Sequence, residues 1–243
     1  MIIIPAIDLK DQKVVRLTQG KFDQKTEYNQ DPVDVAKKWQ NSGAKLIHVI
    51  DLDGAEKGTS ENFNIIKKIQ ESVEIPIEVG GGIRNKEAIE RLVDIGVSRV
   101  ILGTKAVEDF NFVQDVLSKW NNQIAISLDC ANGMVTTKGW AEISSIKGKD
   151  LAQKLEQAGL KMLIYTDIAR DGALIGPNIK QVQEILNAVN IMVIASGGVS
   201  NLDDIKNLLS VKTKNLYGVI VGKALYENRL DLREAISSCS QSE

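Results

Sequence analysis

Two aspartates hold equivalent places in the chain, each at the end of a short apolar run. Asp8 follows Ile2–Ile7 and Asp129 follows Ile124–Leu128, and a polar turn comes after each of them. Two carboxylates that flank a substrate suit general acid–base chemistry when their surroundings separate their pKa values. A lone aspartate at such a place more often caps a turn, so it is the matched pair that favours catalysis. The residue types do not say which carboxyl group is the acid and which is the base.

Glycine pairs form a second repeated feature. Gly81 and Gly82 follow one apolar run, and Gly197 and Gly198 follow another 116 residues later (197 − 81 = 116). A loop without side chains turns sharply and lets backbone N–H groups approach an anion closely. One such loop is common and therefore weakly informative. Its recurrence in the same context predicts two equivalent anion-binding loops.

Each glycine pair has a companion after the next apolar run. Gly103 and Thr104 accompany the first pair, and Gly222 and Lys223 accompany the second, 119 residues later (222 − 103 = 119). The two aspartates are 121 residues apart (129 − 8 = 121), so the landmarks recur in one order at nearly one spacing. Such self-similarity predicts that the chain consists of two homologous halves.

Four single side chains could also contact an anionic, planar ligand, although each type has a commoner structural role. Arg16 and Arg84 could donate charge-assisted hydrogen bonds to phosphate groups. Trp140, in the segment Lys138-Gly139-Trp140, could stack on a planar heterocycle or close a lid. Thr166 ends a predicted strand and could bind a ribose hydroxyl, although threonine also suits strands for its own sake.

The remaining polar candidates are weaker. Asp171 and Gly172 are first of all a turn signal. His48 is the only histidine, has apolar neighbours, and is interpreted as a satisfied core or loop-facing group. Cys130 and Cys239 fit no metal-ligand spacing. No metal and no other cofactor is predicted.

Composition and charge narrow the class of protein. The 243 residues, 43% hydrophobic and 26% charged, are ordinary for a globular chain of one large or two small domains. A net charge of −2 gives no general attraction to nucleic acid or to an anionic membrane, so an anion site must be local. The apolar start is too short for a signal peptide, and no run approaches the length of a membrane span. Two thiols suit a reducing cytosol, so we expect a cytoplasmic protein, and a self-contained fold would be a monomer.

The elements that must position these residues alternate along the chain as eight apolar strands and eight helices, four of each per half. The predicted strands start at Ile2, Leu46, Ile77, Arg99, Ile124, Met162, Ile191 and Tyr217. The predicted helices are Val33–Asn41, Glu61–Glu71, Lys86–Ile95, Asp109–Trp120, Gly148–Gln157, Asn178–Ala188, Leu202–Leu209 and Ala224–Ser237. Lys13–Leu17 is expected to form a short hairpin arm. Polar loops are expected over Thr18–Gln30, Asp51–Ser60 and Asp129–Ser145.

Buried strands that alternate with amphipathic helices pair in parallel through crossover helices. Eight such units in about 250 residues match a single-domain α/β fold, the (β/α)8 TIM barrel. We predict this barrel, built from half-barrels at residues 1–122 and 123–243. An open doubly wound sheet is less favoured, because no Gly-x-Gly-x-x-Gly motif follows the first strand.

The active site of such a barrel lies at the carboxyl ends of its strands, where Asp8 and Asp129 would face each other. The loops after strands seven and eight are the usual phosphate site, and the first-half glycines form its counterpart. A ligand with a phosphate group at each end is therefore expected. A single phosphate, with the other loops structural, is the competing interpretation.

Taken together, these motifs resemble the histidine-biosynthesis (β/α)8-barrel family over essentially the whole chain. The resemblance rests on Pro5–Leu9, His48–Leu52, Val79–Arg84, Ser127–Asp129, Lys138–Trp140, Thr166-Asp167 with Asp171-Gly172, Ala195–Gly198 and Val221–Ala224. Several of these marks are shared with the cyclase of the family. Ala6, where the cyclase typically carries cysteine, and Gly139-Trp140 favour the isomerase.

The resemblance implies an Amadori rearrangement, without cofactor or metal, of phosphoribosylformimino-aminoimidazole carboxamide ribotide (ProFAR) to its ribulosyl isomer. By this resemblance Asp129 is the general acid that opens the ribose ring, and Asp8 is the general base that takes the C2′ proton. Thr166 would position the substrate near this centre. The resemblance also places Asp171 and Gly172 among the substrate contacts.

Three functions stay open at this point. The isomerase is favoured. The cyclase would need a glutaminase partner, an ammonia channel and a docking face at the bottom of the barrel. A sugar-phosphate-binding barrel without catalysis conflicts with the paired aspartates. The isomerase could also act on phosphoribosylanthranilate, a smaller substrate for the same chemistry.

Overall fold

The computed structural model describes residues 1–19, 21–137, 140 and 142–240, and the side chains of residues 21–23 lie outside the description. The strands in these ranges are β1 (Ile2–Lys10), β2 (Lys13–Thr18), β3 (Lys21–Tyr28), β4 (Ile47–Asp51), β5 (Ile77–Gly80), β6 (Arg99–Leu102), β7 (Ile124–Ala131), β8 (Met134–Thr137), β9 (Glu142–Lys147), β10 (Met162–Asp167), β11 (Met192–Ser196) and β12 (Leu216–Val221). The helices are α1 (Pro32–Asn41), α2 (Leu52–Lys57), α3 (Phe63–Ser72), α4 (Lys86–Asp94), α5 (Thr104–Glu108), α6 (Phe110–Trp120), α7 (Gly148–Gln157), α8 (Ile179–Ala188), α9 (Leu202–Leu209), α10 (Lys223–Tyr226) and α11 (Leu232–Ser240).

Eight of the described strands run parallel and close into a barrel. Their order around it is β10, β11, β12, β1, β4, β5, β6 and β7, and β7 pairs again with β10 to complete the circle. In the register of β1 with its two neighbours, Ile4 lies beside Ile220 and Asp8 lies beside Ile50. The predicted (β/α)8 barrel is confirmed, and an open sheet is excluded by the β7–β10 pairing.

An antiparallel arm extends the barrel strand in each half at the equivalent place. β2 and β3 continue from β1, and β8 and β9 continue from β7. The first pairings match, since Leu9 faces Val14 and Cys130 faces Val135. The partners in the second arm are each 121 residues further along the chain (130 − 9 = 121; 135 − 14 = 121). This shared register supports the half-barrel organisation, which stays a prediction.

The predicted hairpin strand at Lys13–Leu17 is confirmed as β2, but the loops expected at Thr18–Gln30 and Asp129–Ser145 are wrong. The first contains β3, and the second contains the end of β7 together with β8 and β9. These added strands carry few apolar residues, and the described part of β9 is mostly exposed. β3 and β9 lie at the edges of the sheet and are held mainly through backbone pairing, whereas β8 lies between β7 and β9 and buries Val135.

Two further expectations are wrong in part. The loop expected at Asp51–Ser60 contains α2, whose N-terminus is capped by the Asp51 side chain on the amide of Gly54 at 2.9 Å. The last helix, expected as one piece from Ala224 to Ser237, is two helices, α10 and α11. Short helices of this kind are set by local capping and tertiary packing, and periodicity over a longer window does not detect them.

Helix α5 was not predicted, and α3 begins two residues after the predicted Glu61. Two other helices begin at the predicted capping residues. Asp31 accepts hydrogen bonds from the amides of Val33 and Asp34 before Pro32 opens α1. Asn85 caps α4 through the amide of Ala88. The boundaries of α7 and α9 agree with the sequence-based ranges at both ends. Polar side chains at these ends satisfy amides that the helix itself leaves unpaired.

Apolar side chains fill the space on both sides of the barrel wall. The larger core lies between the strands and the surrounding helices. A second cluster is formed by inward-facing side chains, namely Ile4, Ala6, Leu46, Ile101, Ala125, Met162, Ile164, Ile194 and Ile220. The barrel interior is therefore packed, as in other barrels of this kind, and ligands must bind at its mouth.

Candidate active site

A cavity of about 740 Å³ lies at the carboxyl ends of the strands. Eleven of the predicted site residues line it, namely Asp8, Arg16, Gly81, Gly82, Arg84, Gly103, Thr104, Asp129, Trp140, Thr166 and Asp171. A cavity of this size is in the range that holds a metabolite. Lys138 and Gly139 of the predicted lid motif lie outside the described residues.

A second, much smaller pocket of about 20 Å³ adjoins the first, and Arg16 and Asp171 belong to both. The other predicted residues of the second half line it, namely Gly172, Gly197, Gly198, Gly222 and Lys223. The structure thus brings every predicted site residue that it describes to one mouth of the barrel.

Asp8 and Asp129 come from diametrically opposed strands, since β1 and β7 are four places apart in the circle of eight. Asp8 lies on β1, where Arg16 of the neighbouring β2 brings Nη1 to 2.8 Å from its Oδ2. The pair lacks the alignment of a hydrogen bond, so this buried nitrogen keeps a donor available. Burial raises the pKa of Asp8 above its ordinary value, against the opposing charges of Arg16 and His48. A raised pKa makes this carboxylate a stronger base.

Asp129 has neutral hydrogen-bond partners. Ser127 Oγ donates to Oδ1 at 2.8 Å, and the Trp140 indole Nε1 donates to Oδ2 at 2.8 Å. Ser127 reaches it because residues two apart on a strand face the same side. Sequence reasoning missed Ser127, although this spacing was a usable signal. It also missed the contact of Trp140 with the carboxylate, which depends on the path of the second arm.

Asp171 lies in the loop after β10, close to both cavities. Its pKa is raised to about 6, mainly by burial and further by the negative charges of Asp8 and Asp129, whereas Arg16 opposes the shift. The cavity therefore gathers three carboxyl groups around one buried arginine. Thr166, at the end of β10, is buried and lines the wall between them.

The consecutive glycines have the same conformation in both halves. Gly81 and Gly82 have φ of 109° and 70°, and Gly197 and Gly198 have φ of 95° and 93°. A Cβ atom on any of the four would overlap the backbone of the preceding βα loop. Each glycine pair is thus needed for a tight turn packed on its neighbour, and side-chain-free backbone faces the cavity.

The two companion glycines differ in what lies over them. Gly103 and Gly222 share similar backbone angles, with φ of −106° and −112°. The space where a Cβ atom of Gly103 would lie is open, whereas at Gly222 the Arg16 guanidinium fills it. Lys223 Nζ donates to Thr18 Oγ1 and to the carbonyl of Gly172, both at 3.2 Å. The space over the first-half loop at Gly103 is therefore open. The space over the second-half loop at Gly222 is occupied by the side chain of Arg16, and Lys223 lies beside it.

A buried polar cluster supports the first anion loop, and sequence reasoning missed it. Asn62 Nδ2 donates to Asp51 Oδ1 at 2.6 Å and to Asp53 Oδ2 at 2.8 Å, and its Oδ1 accepts from the Gln12 amide at 2.8 Å. In the second half Asn178 Nδ2 donates to an Asp167 carboxylate at 2.7 Å. Asp167 also accepts a hydrogen bond from the Ala169 amide at 3.0 Å and thereby braces its own loop.

No group of three or more His, Cys, Asp and Glu in the described residues is arranged to hold a metal ion. In the same part of the chain, no helix is both long and apolar enough to cross a membrane.

The fold and the site define a class of protein: a (β/α)8 barrel with two opposed carboxylates between two glycine-lined loops. The model of the family described as "Histidine biosynthesis protein" matches residues 2–231. The chain therefore belongs to the histidine biosynthesis protein family, as its motifs predict.

Curated relatives agree with this assignment. The chain is 50% identical over 236 residues to a protein of Acetivibrio thermocellus, covering 97% of this chain and 98% of the relative. A protein of Thermoanaerobacter pseudethanolicus is also 50% identical with the same coverage. One of Carboxydothermus hydrogenoformans is 48% identical over 97% of both chains. All three are named 1-(5-phosphoribosyl)-5-((5-phosphoribosylamino)methylideneamino) imidazole-4-carboxamide isomerase.

Proposed function

We propose that this chain is the isomerase that its relatives' name describes, converting ProFAR to its ribulosyl isomer in histidine biosynthesis. The supporting observation is the placement of Asp8 and Asp129 on opposed strands of one cavity, between the two glycine-lined loops. The near-complete overlap with isomerases at 48–50% identity supports the same reaction.

The reaction begins with opening of the ribose ring, for which Asp129 acts as the general acid. It protonates the ring oxygen, the bond from that oxygen to C1′ breaks, and a Schiff base forms at C1′. Because an indole N–H can only donate, the acidic proton of Asp129 belongs on Oδ1, where the Ser127 hydroxyl can reverse its hydrogen bond. Ser127 and Trp140 thereby hold the carboxyl group in a fixed orientation.

Asp8 acts next as the general base. It takes the proton from C2′ of the Schiff base, which gives an enolamine that tautomerises to the ketose. Burial raises the pKa of Asp8, and the charge of Arg16 keeps the carboxylate form available beside it. Thr166 lies on the same cavity wall and positions the substrate between the two carboxyl groups.

The substrate carries a phosphate group at each end, and we assign one to each glycine loop. Gly81, Gly82, Gly103 and Thr104 with Arg84 would hold the first. Gly172, Gly197, Gly198, Gly222 and Lys223 with Arg16 would hold the second. When both phosphate groups are bound, the reacting carbons C1′ and C2′ lie between Asp8 and Asp129. The binding energy of the two phosphate groups thus positions the substrate for the reaction. Trp140, beside Asp129, is available to pack on the planar imidazole ring.

The same observations bear on the other candidate functions. The cyclase would need an ammonia path through the barrel, and the family marks Ala6 and Trp140 favour the isomerase over it. Activity on phosphoribosylanthranilate stays a prediction for a smaller substrate in the same cavity. A cytoplasmic monomer that needs neither cofactor nor metal fits this proposal.

The test is a spectrophotometric assay with ProFAR on the wild type and on the Asp8→Asn and Asp129→Asn variants. We expect turnover by the wild type and a loss of about 10²–10⁴-fold in kcat for each variant, with substrate binding kept. Binding without turnover by the wild type would reject the isomerase and favour the cyclase, to be assayed with the ketose and ammonia. Full activity in either variant would reject the two-carboxylate mechanism.

A further inference from the structure

A histidine, a glutamate and an arginine form one rung across adjacent strands of the barrel. In the strand register His48 of β4 pairs with Glu78 of β5, and Glu78 pairs with Arg99 of β6. His48 Nδ1 lies 2.7 Å from Glu78 Oε1, and Arg99 Nη1 lies 2.6 Å from Glu78 Oε2. Glu78 is 0% exposed, so the carboxylate is buried and both of its oxygens are engaged. The proposed mechanism uses none of the three.

Only one end of this rung reaches the substrate cavity. His48 lines the cavity, whereas Glu78 and Arg99 are absent from its walls. His48 lies near enough to Asp8 and Asp171 for its charge to influence the pKa of both. Because its Nδ1 edge is turned toward Glu78, the Nε2 edge is the part of the ring left for the cavity.

The rung fixes which ring nitrogen carries the proton. Arg99 balances the charge of Glu78, and the carboxylate can only accept, so a neutral His48 must donate from Nδ1. Nε2 is then an unprotonated acceptor, on a side chain that lines the same cavity as the base Asp8. Burying the Glu78–Arg99 ion pair costs free energy of desolvation. A histidine that only filled the core would not require this ion pair.

We propose that His48 is a third catalytic residue, which accepts the proton of the substrate's C2′ hydroxyl at Nε2, and that Glu78 is its positioning residue. The assignment rests on the proposed isomerase function. In the enolamine the C2′ O–H bond breaks and its proton passes to Nε2, while the electron pair forms the C2′ carbonyl. The former double-bond electrons take a proton from Asp8 onto C1′. Through solvent, His48 then returns its proton to Asp129, which spent one on ring opening.

The groups around His48 suit this transient positive charge. Asp8 faces it from β1, Glu78 from β5 and Asp171 from the loop after β10, and Arg16 on β2 is the opposing cation. At the cavity end of the rung, the two carboxylates Asp8 and Asp171 face one cation, Arg16. An imidazolium formed during ketonisation is therefore stabilised on both of its edges.

The test exploits the fact that His48 is the only histidine in the chain. Labelling histidine with ¹⁵N gives one pair of ring signals, so the protonated nitrogen of the neutral ring is read without assignment. We expect the proton on Nδ1 in the wild type. In Glu78→Gln the single amide oxygen faces Arg99 and the NH₂ group faces Nδ1, so the proton moves to Nε2. In Glu78→Gln/Arg99→Met the amide can turn, and the proton returns to Nδ1.

The kcat with ProFAR should be high in the variants whose neutral His48 carries its proton on Nδ1 and low in those that carry it on Nε2. We expect kcat to fall about 10²-fold in Glu78→Gln and in His48→Asn, with KM changed little, and to recover in part in the double variant. A Glu78→Gln variant that shifts the tautomer at full kcat, or keeps the Nδ1 proton, overturns the proposal. Should Glu78→Gln not fold, full activity in His48→Asn overturns it as well. Absence of wild-type turnover would instead reject the isomerase, and the catalytic role of His48 with it, whatever tautomer is observed.

Discussion

At the scale of single residues, the site is governed by how few cations balance its carboxyl groups. Among the described residues, five carboxylates line the cavity with three cations, and of those cations Arg16 is the buried one that contacts Asp8. Arg16 also covers Gly222, so one guanidinium serves both a carboxylate and an anion loop. A phosphate group entering the second loop would compete for this guanidinium, which links substrate binding to the charge state around Asp8.

Burial of the Asp171 carboxyl group, to which the charges of Asp8 and Asp129 add, predicts a pH-dependent penalty on stability. Its pKa is about 6 in the fold, against an ordinary value of 3.8, so the fold favours the protonated form. The unfolded chain ionises at lower pH, and stability therefore falls as pH rises between these two values. Asp171→Asn removes the penalty, so it should stabilise the fold at pH 7 by up to roughly 3 kcal/mol and by much less at pH 4.

Urea unfolding at a series of pH values measures this difference. Asp94→Asn, at an exposed position on α4, is the control and should give a difference that does not change across the same range. A pH-independent effect of Asp171→Asn would contradict the assignment of the penalty to charge. Since Asp171 also lines the cavity, the variant is expected to lose activity while gaining stability.

Residue types predicted the carboxylates but not their partners. Asp8, Asp129 and the glycines were accessible because each occurs twice in the same context. His48 was interpreted as a satisfied core or loop-facing group. Its proximity to Glu78 depends on the register of β4 with β5, which the sequence does not display. Glu78 itself, a charge inside an apolar run, was the signal available for it.

At the scale of elements, each glycine loop depends on the neighbouring segment of backbone on which it packs. Gly81 and Gly82 pack on the backbone of Asp51 and Gly54, in the loop that Asn62 holds together. The periodic helices and the barrel strands could be predicted from the sequence, because burial imposes their pattern. The edge strands β3 and β9 could not, because polar edge strands form mainly through backbone pairing, and the four residues of β8 are too few to show a pattern.

Asn62 and Asn178 offer a matched comparison of this support. Asn62 is 0% exposed and bonds two carboxylates and the Gln12 amide, so Asn62→Ala strands several buried groups. We expect a loss of about 2–4 kcal/mol in unfolding free energy. Asn178 bonds one carboxylate and caps α8, so Asn178→Ala should lose about 1–2 kcal/mol. Urea unfolding compares them, and equal losses would contradict the special role of the Asn62 cluster.

At the scale of the whole molecule, two similar halves place two anion loops on opposite sides of one mouth. The repeat was visible in the sequence, whereas the difference between the loops was not. Arg16 comes from the first arm and covers Gly222 in the second half, so the asymmetry arises from contact across the barrel. One half alone would lack either the arginine or the loop that it covers.

This arrangement predicts that inorganic phosphate binds at two sites per chain and stabilises the fold accordingly. Above saturation each bound ion adds about 1.4 kcal/mol of unfolding free energy per tenfold rise in phosphate concentration, so two sites add about 2.8. Arg84→Met should remove the site in the first half and Lys223→Met the site in the second, each halving the slope. Lys67→Met, at an exposed position on α3, is the control for lost positive charge.

Urea unfolding at constant ionic strength and rising phosphate gives the slope directly, and the starting stability of each variant does not enter it. A wild-type slope of one ion, abolished by only one of the two substitutions, would mean that the other glycine loop is purely structural. The protein would then bind only one phosphate group of the ligand. The reacting carbons would have to be positioned between Asp8 and Asp129 by contacts with the rest of the ligand. Two ions in the wild type and one in each variant would establish that both ends of the mouth hold the ligand.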